Sequence, residues 1–233
     1  LPAGQLGDRV LNELAIGAKK IVSSMQARDV SLTTGQLPVD LRLGGVHITG
    51  HVDHWTGHAL HQVTFSKVRA KQKLIQWVDQ LLVAAATGQR AGDAVLIGRD
   101  GDASVLPGID PAVAVERLSE LVELARIARR WPLPFYADDS VLDPIVKQEV
   151  QFDERDSVSQ YVQKVRRSFV PTAWHPYAVG DEPNTQAAFA GRSLFDIRCS
   201  ELDEFDAFGD QRLFAHLAEL ICGPVSDVLS GQS

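Results

Sequence analysis

The chain has 233 residues, 45% of them apolar and 23% charged, with a formal net charge of −7. That balance suits one large domain, or two tightly packed small ones, with a real hydrophobic core, and no apolar run approaches the ~18 residues needed to span a bilayer. The acidic charge excludes a generic nucleic-acid coat but leaves room for a local basic face.

The first residue is leucine rather than methionine, and the opening LPAGQLGDRVLNEL lacks the basic start and apolar middle of a secretory leader, so the chain is expected to be a domain cut from something longer. In residues 8–25, Val10, Leu11, Leu14, Ile21, Val22 and Met25 recur at helical spacing, which predicts an amphipathic first helix. Residues 37–43 then alternate, with Leu37, Val39, Leu41 and Leu43 on one face and Asp40 and Arg42 on the other. Gly44-Gly45 tolerates the positive φ of a tight hairpin turn. VHITGHVDHW alternates again, Thr56-Gly57 reads as a second turn, and HALHQVTF returns as a third strand, giving an antiparallel meander.

A second helix is predicted over 67–88, with Leu74, Val78, Leu81, Leu82 and Ala85 buried and Gly88 as its stop. AVLIG, 94–98, is wholly apolar, as a strand covered on both faces should be. Asp110-Pro111 starts a third helix that runs through Arg130 until WPLPFYA breaks it. Further helices are expected at 156–169 and 210–222, the latter ending at Gly223-Pro224. Cys199 and Cys222 fit no metal or redox spacing. They are expected as thiols in a reducing cytoplasm, a bridge between them staying open. The expected fold is α/β, in the order helix, three strands, helix, buried strand, as a single domain. Its core covers roughly 6–100 and a helical extension roughly 101–233.

Five of the seven histidines fall within residues 47–61, HITGHVDHWTGHALH. If Thr56-Gly57 is a two-residue turn, cross-strand pairs sum to 113, and His47, Thr49, His51, Asp53 and Trp55 share a face with His58, Leu60, Gln62 and Thr64. His51 and Asp53 are weak metal candidates, since zinc needs its ligands at about 2.0–2.1 Å from one point and His47 and His58 lie too far along the hairpin. Solvated histidines on an open face are the plainer reading.

A magnesium-dependent nuclease of the restriction type needs one strand carboxylate, a second on the next strand, and a lysine two residues later. Asp53 can be the first, but no Asp or Glu occurs from 54 through 78. The acid falls near Thr64 and the lysine near Ser66, while Lys67 is one residue out of step and so points to the opposite face. The layout of a site is present and its chemistry is missing.

Along almost the whole chain, LPAGQLGD, GGVHITGHV, IGRDGD, RLSELVEL and VGDEPNTQAAFAGRSLFD occur in order. With these motifs the sequence resembles the C-terminal domain of the gamma chain, RecC, of bacterial exodeoxyribonuclease V. The resemblance implies a restriction-endonuclease-like core of the PD-(D/E)XK type, α-β-β-β-α-β, with additional C-terminal helices. It also implies a decayed copy of the nuclease domain of the beta chain, RecB. The degenerate positions would be Asp53, Thr64 and Ser66, with only the first acid kept. In that family the assembly opens duplex DNA ends, unwinds and degrades DNA, and serves double-strand-break repair by homologous recombination. The gamma chain itself is implied to be non-catalytic, helping to split the duplex and dock the alpha chain, RecD. The implied partners are RecB, RecD and DNA, with no cofactor and no membrane, in the cytoplasm.

Lys67, Arg69, Lys71 and Lys73 crowd the start of the second helix, where cations oppose the helix dipole. DNA phosphates are one explanation and a solvated face another. Trp55 and His58, with His54, could stack on unpaired bases. Arg126, Arg129 and Arg130, like Lys164, Arg166 and Arg167, sit near helix C-termini, and the dipole alone explains them. ELDEFDAFGD would repel DNA; Phe205 and Phe208 in it are candidates for docking a protein partner, or else core. The rival readings are a metal-dependent nuclease using Asp53 with nearby histidines, and a scaffold without DNA contact.

Overall fold

The structure is a computed structural model that describes residues 4–31, 33, 35–168 and 187–230. The chain divides into two compact units, Leu1–Glu120 and Leu121–Ser233. In the first unit the elements are α1 (Gln5–Ala27), β1 (Gly35–Leu43), β2 (Val46–Trp55), β3 (Leu60–Val63), α2 (Ala70–Thr87), β4 (Ala94–Ile97) and β5 (Ala103–Leu106). Helix α3 (Pro111–Ala128) follows, and the boundary between the units falls within it.

The fold is mixed α/β, with one five-stranded sheet in the order β1-β2-β3-β4-β5. β1 to β3 form the expected antiparallel meander, β3 and β4 run parallel, and β5 returns antiparallel on β4. A parallel neighbour needs a crossover, and α2 supplies it. Gly44 and Gly45 take φ of 52° and 76°, the left-handed turn predicted for them. β5 was not expected, because four residues after a Gly-Asp turn carry too short a pattern to read.

The two helices cover different faces of the sheet. Ile21 and Met25 of α1 pack with Val63, Val95, Ile97, Ala103 and Val105. Helix α2 packs against β1, β2 and β4, the face on which alternation buries Val39, Leu43 and Val52. The predicted stripe of α1 is corrected in part: Leu11, Leu14 and Val22 are exposed, and Gly7, Gly17, Ile21 and Ser24 are buried instead. The cause is close approach, since a Cβ on Gly17 would lie 2.9 Å from the Phe65 ring. Small residues therefore share the packing face with Ile21 and Met25, and apolar periodicity misplaces the N-terminal part of the stripe. On α2, Leu74 and Leu81 are buried as expected, while Val78, Leu82 and Ala85 are only half-buried around a centre of Trp77, Gln80 and Ala84. Gly88 ends the helix at φ 63°.

The second unit contains α4 (Asp139–Val146), α5 (Arg155–Ser168) and α6 (Leu213–Ser230). Helix α4 was not expected; Asp138 caps it by accepting from Ser140 N. The predicted end of the last helix at Gly223-Pro224 is corrected, for α6 continues to Ser230 with Pro224 inside it. Proline forfeits one backbone hydrogen bond. Past it, Val225 and Ser226 are buried and Ser226 Oγ donates to Ile145 O at 2.9 Å, which holds the helix together. Cys199 and Cys222 are free and buried, and burial pushes their thiols up to about 11 and about 12. Residues 179–186 of VGDEPNTQAAFAGRSLFD, and residue 169 at the end of the fourth predicted helix, lie outside the described residues. Among the described residues no helix is long and apolar enough to cross a membrane.

Candidate functional site

The hairpin of β1 and β2 presents a polar face that neither helix buries. Asp40, His47, His51 and Asp53 all stand exposed on it. His47 Nε2 lies 2.6 Å from Asp40 Oδ1, and His51 Nε2 lies 3.8 Å from Asp53 Oδ1. Gln36 Nε2 donates to Asp53 Oδ1 at 2.8 Å. One side chain of β1 thus fixes the Asp53 carboxylate in place.

The expected register across the second turn is corrected. Gly35 pairs with Trp55 and Leu37 with Val52, so one residue of β1, Gln36, faces two of β2, Asp53 and His54. This is a β-bulge, and His54 accommodates it at φ 63°. Gly35 and Leu37 share a face, so Val52 and Trp55 do too, and alternation past Asp53 is inverted. The turn is also longer than predicted: Trp55 pairs with Leu60. Thr56 N donates to Ala59 O at 2.9 Å, and Thr56 Oγ1 accepts from Ala59 N at 3.1 Å. His58 therefore lies in the turn, not opposite Trp55, and His54 is exposed rather than turned inward with Val52.

The bulge changes which residues face Asp53. Leu60 follows Trp55 to the α2 side, so His61 and Val63 continue the Asp53 face across β3. His61 Nδ1 accepts from Ser31 N at 3.1 Å, just beyond α1, and Val63 packs in the α1 cluster. Phe65 continues on this side against Gly17. Thr64 and Ser66, the positions expected for the second acid and the lysine, alternate to the other side, where Thr64 Oγ1 and Ser66 Oγ are 2.9 Å apart. The fold does not bring Asp53, Thr64 and Ser66 onto one face. The residues that follow on the Asp53 face are apolar.

A carboxylate that the sequence reading missed stands nearby. Burial raises the Asp79 carboxyl above its ordinary range, the His54 charge opposes that shift, and the Asp53 charge adds to it. Asp79 is on α2, far from the hairpin in sequence, so no strand spacing could have found it. Among the described residues, no group of three or more His, Cys, Asp or Glu side chains is arranged to hold a metal ion.

The basic run lies at the start of α2. Lys67, Arg69 and Lys71 are exposed and Lys73 is half-buried. Lys67 Nζ lies 3.8 Å from Asp100 Oδ2, and Gln72 Oε1 accepts from Arg69 N at 3.1 Å. Trp55 is half-buried and His58 exposed. In the second unit Phe205 is corrected from docking candidate to core: it is 4% exposed and packed with Leu124, Ile197, Cys199, Leu213 and Leu217. Phe208 stays exposed, its ring 3.9 Å from that of His216. Arg126 pairs with Glu123 one turn away, while Arg130 and Lys164 pair with Glu204 and Glu149 of other segments.

Comparison with known proteins places the chain in a family. Residues 1–141 match the family model described as the RecC C-terminal domain. The chain is 36% identical over 139 residues to the RecBCD enzyme subunit RecC of Mycolicibacterium smegmatis, a match covering 58% of this chain and 13% of that protein. It is 32% identical over 138 residues to the RecBCD enzyme subunit RecC of Mycobacterium tuberculosis, covering 58% of this chain and 12% of that one. The chain thus spans 12–13% of the length of these curated relatives.

Proposed function

This chain belongs to the RecC C-terminal domain family, and from that premise we propose that it is a non-catalytic, nuclease-like domain that guides DNA within a helicase–nuclease assembly. Its core is read as restriction-endonuclease-like. The order α1-β1-β2-β3-α2-β4, with β3 and β4 parallel, supports that reading. The domain contributes to duplex-end processing and strand separation in double-strand-break repair by homologous recombination, and docks the RecB and RecD chains.

One observation carries the absence of catalysis. Asp53 is the residue that the family resemblance maps onto the first metal-binding acid, and the side chains that follow on its face across β3 are His61 and Val63, with Phe65 beyond. Two hydrated magnesium ligands and an ammonium group cannot be drawn from those side chains. A metal-dependent nuclease draws its one support from Asp79, which comes within electrostatic reach of Asp53 and His54. The burial that raises the Asp79 carboxyl disfavours the charged form that magnesium needs.

DNA guidance is tested by salt-dependent binding to a forked duplex. Changing Lys67, Arg69, Lys71 and Lys73 together to glutamate is expected to weaken binding roughly tenfold or more near physiological salt, and to flatten the dependence on log salt. Unchanged affinity and slope would reduce the domain to a scaffold without DNA contact.

A further inference from the structure

Three chain segments meet on the first unit in a way that sequence spacing does not show. Arg99 N, in the β4–β5 turn, donates to Ser66 O at 2.9 Å and ties that turn to the segment leading into α2. The same turn is packed onto α1: at Gly101, with φ +82°, a Cβ would lie 3.3 Å from both Cβ and O of Lys20. Between α1 and the turn runs an open groove of about 540 Å3, lined by Lys19, Lys20 and Arg28 with Ser23, Asp100 and Gly101. That volume is of the order of a ligand cleft.

The charge in this groove is one-sided. Lys67 and Arg99 both reach the single carboxylate of Asp100, each at 3.8 Å. Arg28 spends its guanidinium on Ser24 Oγ at 3.0 Å rather than on an acid. Lys19 and Lys20 have no acidic partner among the described residues. Three cations, Lys19, Lys20 and Arg28, thus line the groove with one acid, Asp100, which Lys67 and Arg99 also approach. Even with Asp29 and Asp102 in the same segments, positive charge is in excess here in a chain whose net charge is −7. An apolar ledge adjoins it: Phe65 is 46% exposed and Ile16 56%, and the Phe65 ring lies against Gly17 beside the Arg99 side chain.

We propose that this groove, between the C-terminal half of α1 and the β4–β5 turn, binds single-stranded DNA, its cations on the phosphates and Phe65 against an unpaired base. Cations along a groove with an exposed aromatic at its side are what single strands require. A duplex keeps its bases stacked and would leave Phe65 and Ile16 facing phosphate and water. The assignment rests on the reading of this domain as a DNA guide, and it adds a surface distinct from the run at 67–73 that shares only Lys67 with it.

The test is fluorescence anisotropy of the full chain with labelled oligothymidine, a duplex of equal length and an acidic peptide, across a salt series. Lys19→Glu with Lys20→Glu is expected to weaken oligothymidine binding at least tenfold and to lower the salt slope by about 1.4 or more. Phe65→Ala is expected to weaken it about fivefold or more with the slope unchanged, because stacking releases no counterions. Lys19→Gln with Lys20→Gln should fall between the wild type and the double reversal. Unchanged oligothymidine binding in the lysine variants overturns the inference, as does a duplex bound equally well and equally sensitive to Phe65→Ala, or an acidic peptide bound in place of DNA. If forked DNA is still lost on reversal of Lys67 to Lys73, the guidance reading survives that failure; if no DNA binds at all, both fall.

Discussion

Replacing Gln80 with leucine is expected to cost the first unit about 2–4 kcal/mol. Gln80 is fully buried at the centre of the packing face of α2. Its Nε2 donates to Gly92 O at 2.9 Å, to Pro107 O at 3.0 Å and, more weakly, to Leu106 O at 3.3 Å. One amide thus joins the chain entering β4 to the chain leaving β5. Leucine keeps the volume and loses every one of these bonds. The carbonyls of Gly92 and Pro107 are part-buried and that of Leu106 buried. Each loses a donor at about 1–3 kcal/mol when truly orphaned, less what relaxation returns and what removing the partnerless buried Oε1 of Gln80 gives back. Urea unfolding followed by the fluorescence of buried Trp77 should show a lower midpoint at constant slope. A midpoint within error of the wild type would mean that α2 does not clamp the sheet through this amide.

Gly108→Ala is expected to be as damaging, for a different reason. A Cβ there would lie 2.2 Å from Ala91 O. The contact is backbone against backbone, held by Ala91 N donating to Ile109 O at 3.1 Å and Gly108 N donating to Asp93 Oδ1 at 3.0 Å. No rotamer change relieves it, so the two segments must separate and those bonds must lengthen. A cost of about 3 kcal/mol is expected, at the upper end of overpacking effects. Gly17→Ala is the contrast, because there the nearest atoms are side-chain ones, the outer edge of the Phe65 ring and Cγ of Arg99, rather than backbone. Equal stability of Gly108→Ala and wild type in the same urea series would refute the close approach.

How far the sequence could be read depends on where the information sits. Alternation in 37–43, the Gly44-Gly45 turn, Gly88 as a helix stop and the wholly buried β4 are local patterns, and each appears in the structure where spacing places it. The packing face of α1 is not local. Beside Ile21 and Met25 it is set by how closely Phe65 can approach Gly17, so small residues mark part of it while Leu11, Leu14 and Val22 face out. Likewise the bulge at Asp53–His54 depends on a histidine accepting a left-handed backbone, for which neither residue carries a glycine-like signal.

That one bulge decides the candidate site. Counting by twos from Asp53 across an ideal hairpin leads to Thr64 and Ser66, whereas the folded sheet leads to His61 and Val63. Both routes find no second acid and no lysine, so the chemical conclusion survives an error in register. Asp79 and the pairing of Lys19 and Lys20 with the β4–β5 turn were beyond any spacing rule, since only tertiary folding joins those segments.

The central claim is that this domain holds DNA and does not cut it. Its most direct test is cleavage of linear and forked DNA by the purified full chain with magnesium or manganese, beside Asp53→Ala. The account predicts no cleavage by either protein while the forked DNA remains bound. Metal-dependent cleavage by the wild type that disappears in Asp53→Ala would contradict it, and would make the bulge of Asp53 and His54, with Asp79 beside it, an active centre.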